Sequence, residues 1–262
     1  MTNSVERAID AARADGRGAF IGYLPAGFPD TATSIEAAVA MAENGVDIIE
    51  LGPPYSDPVM DGPVIQEATN EALVAGFRTA DLFTVVREIT ARTSVPVLVM
   101  TYWNLVVQYG VDRYARDLAA AGGAGLITPD ITPDSGADWV EASERHDLVR
   151  VFLAAPTSSD DRIELIARSS TGFVYTVSTM GITGERAELD AAARTVVGRL
   201  REHGASRACV GIGITTAEHI ASVVDYADGA IVGTALVRAL REGGVVGLVA
   251  KTRELAAGTR GS

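Results

Sequence analysis

The chain has 262 residues, 47% of them hydrophobic, which is enough to build one large core and predicts a single domain over residues 1–262. The net charge of −12 argues against nucleic acid or an anionic membrane surface as partner, and no apolar run is long enough to span a bilayer. One cysteine, Cys209, allows no disulfide framework, and the N-terminus is charged and helical rather than signal-like, so the expected compartment is the cytoplasm.

In chain order, a helix over Ser4–Ala14 precedes a first strand at Ala19–Leu24. Thr33 and Glu36 have the spacing of a capping box, which predicts a helix over Ser34–Asn44 ended by Gly45. The second strand, Val46–Leu51, is followed by helices over Val64–Val74 and Ala80–Arg92, then a strand at Val95–Met100. A helix over Val111–Ala121 leads to a strand at Gly125–Ile127, and one over Ser135–His146 to a strand at Val149–Leu153. Helices over Asp160–Ser169, Asp190–His203 and Thr216–Val224 alternate with strands at Phe173–Val177, Ala208–Gly211 and Gly229–Val232. Helices over Thr234–Leu240 and Val245–Leu255 follow, and the small, polar tail from Ala256 to Ser262 is expected to fray. Most strands are short apolar runs without alternation, the pattern of a parallel sheet covered on both faces. Eight strand–helix repeats predict an α/β fold, a (β/α)8 TIM barrel with an extra N-terminal helix and a short helix after the eighth strand. A doubly wound sheet is the alternative, but no GxGxxG follows the first strand.

Such a barrel carries its chemistry at the C-terminal ends of its strands, which puts Glu50, Asp61, Tyr102, Asp130, Tyr175 and the loop Ser178–Glu188 on one face. Between Asp47 and Gln66 the chain reads DIIELGPPYSDPVMDGPVIQ, with Glu50 in an apolar strand and Asp61 in a loop stiffened by prolines. The two acids read either as an acid/base pair held in place or as a helix-capping Glu and a surface-turn Asp. Other chemistries drop out. The single lysine, Lys251, lies in the last helix, which argues against a Schiff base and against pyridoxal phosphate held by this chain. His146, His203 and His219 fall at helix ends or inside helices without ligand spacing, so no metal site is expected. Cys209 reads as a small apolar packing residue. Carboxylates and tyrosines are left to move protons.

Glycines gather after the last strands: Gly181 and Gly184 after the sixth, Gly211 and Gly213 after the seventh, and Gly229 and Gly233 around the eighth, with Thr234 opening a helix. Turn glycines let a ligand approach the backbone and a helix N-terminus favours an anion, so this grouping points to phosphate, held mainly by backbone N–H groups.

The segments GAFIGYLPAGFPD (Gly18–Asp30), IELGPPYSDPVMDGPVIQ (Ile49–Gln66), MTYWN (Met100–Asn104), GFVYTVSTMGITG (Gly172–Gly184), VGIGI (Val210–Ile214) and GAIVGTALV (Gly229–Val237) together resemble the tryptophan synthase α subunit family, from Gly18 to about Leu240. The resemblance implies a (β/α)8 barrel that cleaves indole-3-glycerol phosphate to indole and glyceraldehyde 3-phosphate in tryptophan biosynthesis, with no cofactor in this chain. It implies Glu50 and Asp61 as catalytic residues. Tyr23, Met100, Tyr102 and Ile127 match positions near the indole, and Tyr175 a position near the substrate's polar chain. Thr183 matches a threonine that helps close the site. Gly184, Gly213, Gly233 and Thr234 match the phosphate site. For Met100 and Ile127, plain core packing remains a strong alternative reading.

The resemblance also implies a partner, a β subunit carrying pyridoxal phosphate, in an αββα heterotetramer. Pro54–Met60, Asn104–Gln108, Pro133–Gly136 and Ser178–Glu188 match the contact region. Pro53, Pro129 and Thr179 depart from the family pattern without touching the two acids. A free-standing indole-3-glycerol phosphate lyase and a non-catalytic binding subunit are the alternatives at this point.

Overall fold

A computed structural model describes residues 2–177, 186–211 and 213–261. Eight parallel strands close into a barrel in chain order. They are β1 (Ala19–Pro25), β2 (Ile48–Gly52), β3 (Val97–Met100), β4 (Gly125–Thr128), β5 (Val149–Ala154), β6 (Val174–Val177), β7 (Ala208–Gly211) and β8 (Gly229–Val232). The ring shuts where Ala19 of β1 pairs with Gly229 of β8 and Gly22 with Val232. The expected (β/α)8 barrel is the observed fold.

The first helix, α1 (Ser4–Ala14), begins at a capping box in which the Asn3 side chain accepts from Glu6 N–H at 2.9 Å and Glu6 accepts from Asn3 N–H at 3.1 Å. Its buried residues Val5, Ile9 and Ala12 lie on one face and join the cluster that fills the barrel, with Ile21, Ile48, Leu98, Ile127, Val151 and Phe173. Arg207, leading into β7, pairs with Asp10 at 2.6 Å and Glu6 at 3.2 Å, which docks α1 as the floor of the barrel. The outward faces of the strands pack under the surrounding helices: α2 (Thr31–Glu43), α3 (Pro63–Val74), α4 (Thr79–Thr90), α5 (Trp103–Tyr109), α6 (Val111–Ala120), α7 (Ala137–Arg145), α8 (Asp160–Ser169), α9 (Arg186–Glu202), α10 (Ala217–Val224) and α11 (Thr234–Ala256). Gly244, at φ 58° and ψ −158°, kinks α11 between its two halves, which are the two predicted closing helices.

Several expectations are corrected. The α2 helix starts at Thr31, because the cap is Asp30: its carboxylate accepts from Thr33 N–H at 2.8 Å and the Thr33 hydroxyl at 2.6 Å. Glu36 instead pairs with Arg92 at 2.6 Å. Helix α5 is unexpected, since a seven-residue run with only Val106 buried carries no readable periodicity. Helix α9 begins at Arg186, inside the segment expected to be the loop Ser178–Glu188. The tail does not fray: Ala257–Arg260 forms a 3-10 turn, Gly258 and Thr259 are buried, and Gly18 N–H donates to Thr259 O at 2.7 Å. Strands β2 and β3 also start later than their apolar runs suggest, at Ile48 and Val97. Asp47 turns its carboxylate to Arg17 and the Phe20 N–H, and Pro96 has no N–H for the ladder.

Candidate active site

Glu50 stands in β2 opposite Tyr23 of β1 and Leu98 of β3, so Tyr23 and Glu50 share a register row and point to the same side. Glu50 is 1% exposed, and its Oε2 has no hydrogen-bond partner among the described residues. A buried carboxylate without a donor is costly when charged. Burial first, and then the neighbouring Asp61 charge, push the Glu50 carboxyl up to about 8.

Asp61 reaches the same space from the loop between β2 and α3. Its carboxylate accepts from the Tyr102 hydroxyl at 3.2 Å, and that hydroxyl accepts from Met60 N–H at 3.0 Å. Burial raises the Asp61 carboxyl, and the Tyr102 hydrogen bond opposes the rise. The loop is tied further by Gln66 Nε2 to Asp61 O at 2.8 Å and by Tyr55, whose ring lies 5.2 Å from that of Tyr102 and whose hydroxyl accepts from Asn104 at 3.2 Å. Pro63, at the start of α3, ends the loop where a missing N–H costs the helix nothing.

Tyr23 and Tyr175 complete the group. Burial, and then the charges of both acids, hold both phenols well above their ordinary value. Each ring needs a glycine beside it. A Cβ on Gly52 would stand 2.3 Å from the Tyr23 hydroxyl oxygen, and one on Gly211 would stand 2.4 Å from that of Tyr175. Two acids in unlike surroundings, ringed by three tyrosines at the C-terminal end of a barrel, form a site equipped for proton transfer.

The family model described as "Tryptophan synthase alpha chain" matches residues 9–258. A tryptophan synthase alpha chain from Leifsonia xyli subsp. xyli is 66% identical over 94% of this chain and 94% of its own length. One from Mycobacterium avium is 53% identical over 96% of this chain and 93% of its own. The chain belongs to the tryptophan synthase alpha chain family. A chain in a solved structure of Mycobacterium tuberculosis tryptophan synthase superimposes with a TM-score of 0.94 at 48% identity, covering 100% of both chains. The alpha reaction of this family is the cleavage of indole-3-glycerol phosphate, which makes the chain a carbon–carbon lyase of tryptophan biosynthesis.

As a tryptophan synthase alpha chain, it brings Glu50, Asp61, Tyr23, Tyr102 and Tyr175 into one electrostatic neighbourhood. Ile127 is fully buried inside the barrel, and Met100 packs against the same cluster from its partly exposed end. Gly233 packs beside Tyr23 and Ile65, and Thr234 opens α11. Gly213 has φ 47°, and a Cβ there would meet nothing within 4 Å, so its backbone borders open space. Thr183 and Gly184, with Thr179, lie outside the described residues. Two contacts are not visible in the sequence: Tyr102 on Asp61, and Asp130, singled out only by its place on the face, on the Trp103 amide. Both link residues 27 or more positions apart, beyond the reach of any local pattern. Among the described residues no group of three or more His, Cys, Asp or Glu could hold a metal ion, and no helix is long and apolar enough to cross a membrane.

Proposed function

We propose that Glu50 and Asp61 divide the alpha reaction between them in this one barrel domain. The observation that carries the reading is the unlike hydrogen bonding of two neighbouring buried acids: Glu50 Oε2 has no partner among the described residues and the group is pushed up to about 8, whereas Asp61, also raised by burial, accepts from the Tyr102 hydroxyl at 3.2 Å, which opposes that rise. Protonated Glu50 gives its proton to indole C3, and the ring nitrogen takes on positive charge. Asp61, with one oxygen on Tyr102, turns the other to the indole N–H and stabilises that charge. The glycerol hydroxyl next to the ring then gives its proton to the Glu50 carboxylate. The bond between C3 and that carbon breaks, its electrons return to the ring, and indole and glyceraldehyde 3-phosphate leave with Glu50 protonated again.

Tyr23, Met100, Tyr102 and Ile127 line the indole side and Tyr175 the glycerol side, and Thr183 is the threonine that helps close the site over the substrate. Gly184, Gly213, Gly233 and Thr234 hold the phosphate with backbone N–H groups and the α11 N-terminus. No cofactor of this chain enters any step. The partner is a β subunit bearing pyridoxal phosphate in a cytoplasmic αββα complex. Exposed apolar side chains in two of the matching segments support that face: Val59 is 74% exposed and Val107 49%. Glu50→Gln tests the assignment: indole release should fall by about 10³-fold or more with substrate affinity little changed, and a near-normal rate would refute it.

A further inference from the structure

The loop that carries Asp61 has no strand or helix of its own, yet it must hold a carboxylate still against a ring. Its anchor is the Tyr102 hydroxyl, which takes the Met60 N–H at 3.0 Å and gives its own proton to Asp61 at 3.2 Å. Tyr102 is 7% exposed and is the N-cap residue of α5, but its side chain makes no cap hydrogen bond for that helix, since its hydroxyl lies at the far end of the ring, on the loop. The open amide is Trp103 N–H, and it is taken by Asp130, beyond the end of β4, with both carboxylate oxygens at 3.0 Å. A carboxylate at that end also meets the positive end of the helix dipole. The amide belongs to the peptide joining Tyr102 to Trp103, so holding it holds ψ of Tyr102, observed at 141°. With ψ held, the direction in which the phenol leaves the backbone is held as well. Pro129 fixes φ one residue before Asp130 and stiffens the arm that carries it.

The geometry points to Asp130 as a positioning residue: through the Trp103 amide it fixes Tyr102, and through Tyr102 it fixes Met60 and Asp61. This rests on Asp61 being catalytic, and the experiment separates the two. Asp130→Ala, Asp130→Asn, Tyr102→Phe, the Asp130→Ala/Tyr102→Phe double variant and Asp61→Asn are assayed for kcat and KM with indole-3-glycerol phosphate. Amide hydrogen exchange is followed over residues 55–62. Asp130→Ala and Tyr102→Phe should each lower kcat about ten- to a hundredfold with a smaller change in KM, and each should speed exchange at Met60. The double variant should be no worse than the poorer single one, because both cut the same chain of contacts. Asp130→Asn keeps one acceptor oxygen and should retain more of the rate than Asp130→Ala. If Met60 exchange is unchanged in Asp130→Ala, or the two losses multiply in the double variant, the positioning role is overturned. If Asp61→Asn works at a near-normal rate, the catalytic role of Asp61 falls instead, while faster Met60 exchange in Asp130→Ala would still support the contact chain.

Discussion

Glu50 is a carboxyl group with almost no water and, among the described residues, no donor on Oε2, and its proton affinity follows from that. Activity should therefore decline as pH rises through about 8, where Glu50 loses the proton it must donate, and decline again in acid as Asp61 is neutralised. A kcat/KM profile from indole release should show both limbs, and a flat profile through pH 8 would contradict the assignment. The same group makes stability depend on pH. Its folded value of about 8 lies above its ordinary 4.5, so the folded state holds the extra proton between those values. Stability is then fullest below about 4.5 and is lost as pH rises through 8, by a ceiling on the order of 5 kcal/mol. Urea unfolding at several pH values should show a flatter dependence for Glu50→Gln than for the parent chain.

At the scale of elements, glycines in the strands make room for the tyrosines. Gly52→Ala and Gly211→Ala should each push a phenol ring out of place, because the new methyl would fall 2.3 Å and 2.4 Å from the hydroxyl oxygens of Tyr23 and Tyr175. Overpacking of this kind costs about 1–3 kcal/mol, so a lower Tm with a raised KM is the expected pair of readings. Helix α1 works at the opposite end. Ile9 is fully buried in the barrel floor, and Ile9→Ala should cost about 2–5 kcal/mol in denaturant unfolding while KM stays near its parent value. The capping correction belongs here too. Thr33 and Glu36 have the right spacing for a cap, but Asp30 is extended at φ −150° and offers a full carboxylate three residues earlier, so the helix starts there.

For the whole molecule, the barrel gathers the ends of distant strands at one rim, and the proposed β subunit is expected to act on the loop that carries Asp61 beside them. Adding purified β subunit should raise the rate of indole release by favouring the productive loop arrangement, and an unchanged rate would argue for a free-standing lyase. Most of this architecture is legible in the sequence. The strands and most of the helices follow from runs such as AFIGYL and VLVM, whose unbroken apolar character reports burial on both faces, and from the amphipathic stretches between them. Helix α5, the docked tail and the start of α9 are not legible, because none has a periodic apolar face to betray it.

The sequence by itself determined the barrel and marked the two acids and the glycines after the last strands as candidates, since each rests on local pattern: burial along a strand, prolines stiffening a loop, small residues in turns. Only the tertiary structure decided that Glu50 is dry and carries an oxygen without a partner among the described residues, that Tyr102 ties the Asp61 loop, and that Asp130 takes the first amide of α5. These are contacts between segments far apart in the chain. No residue records in its own neighbourhood which distant side chain the barrel will bring against it, and proton affinity depends on that neighbour and on the water that it displaces.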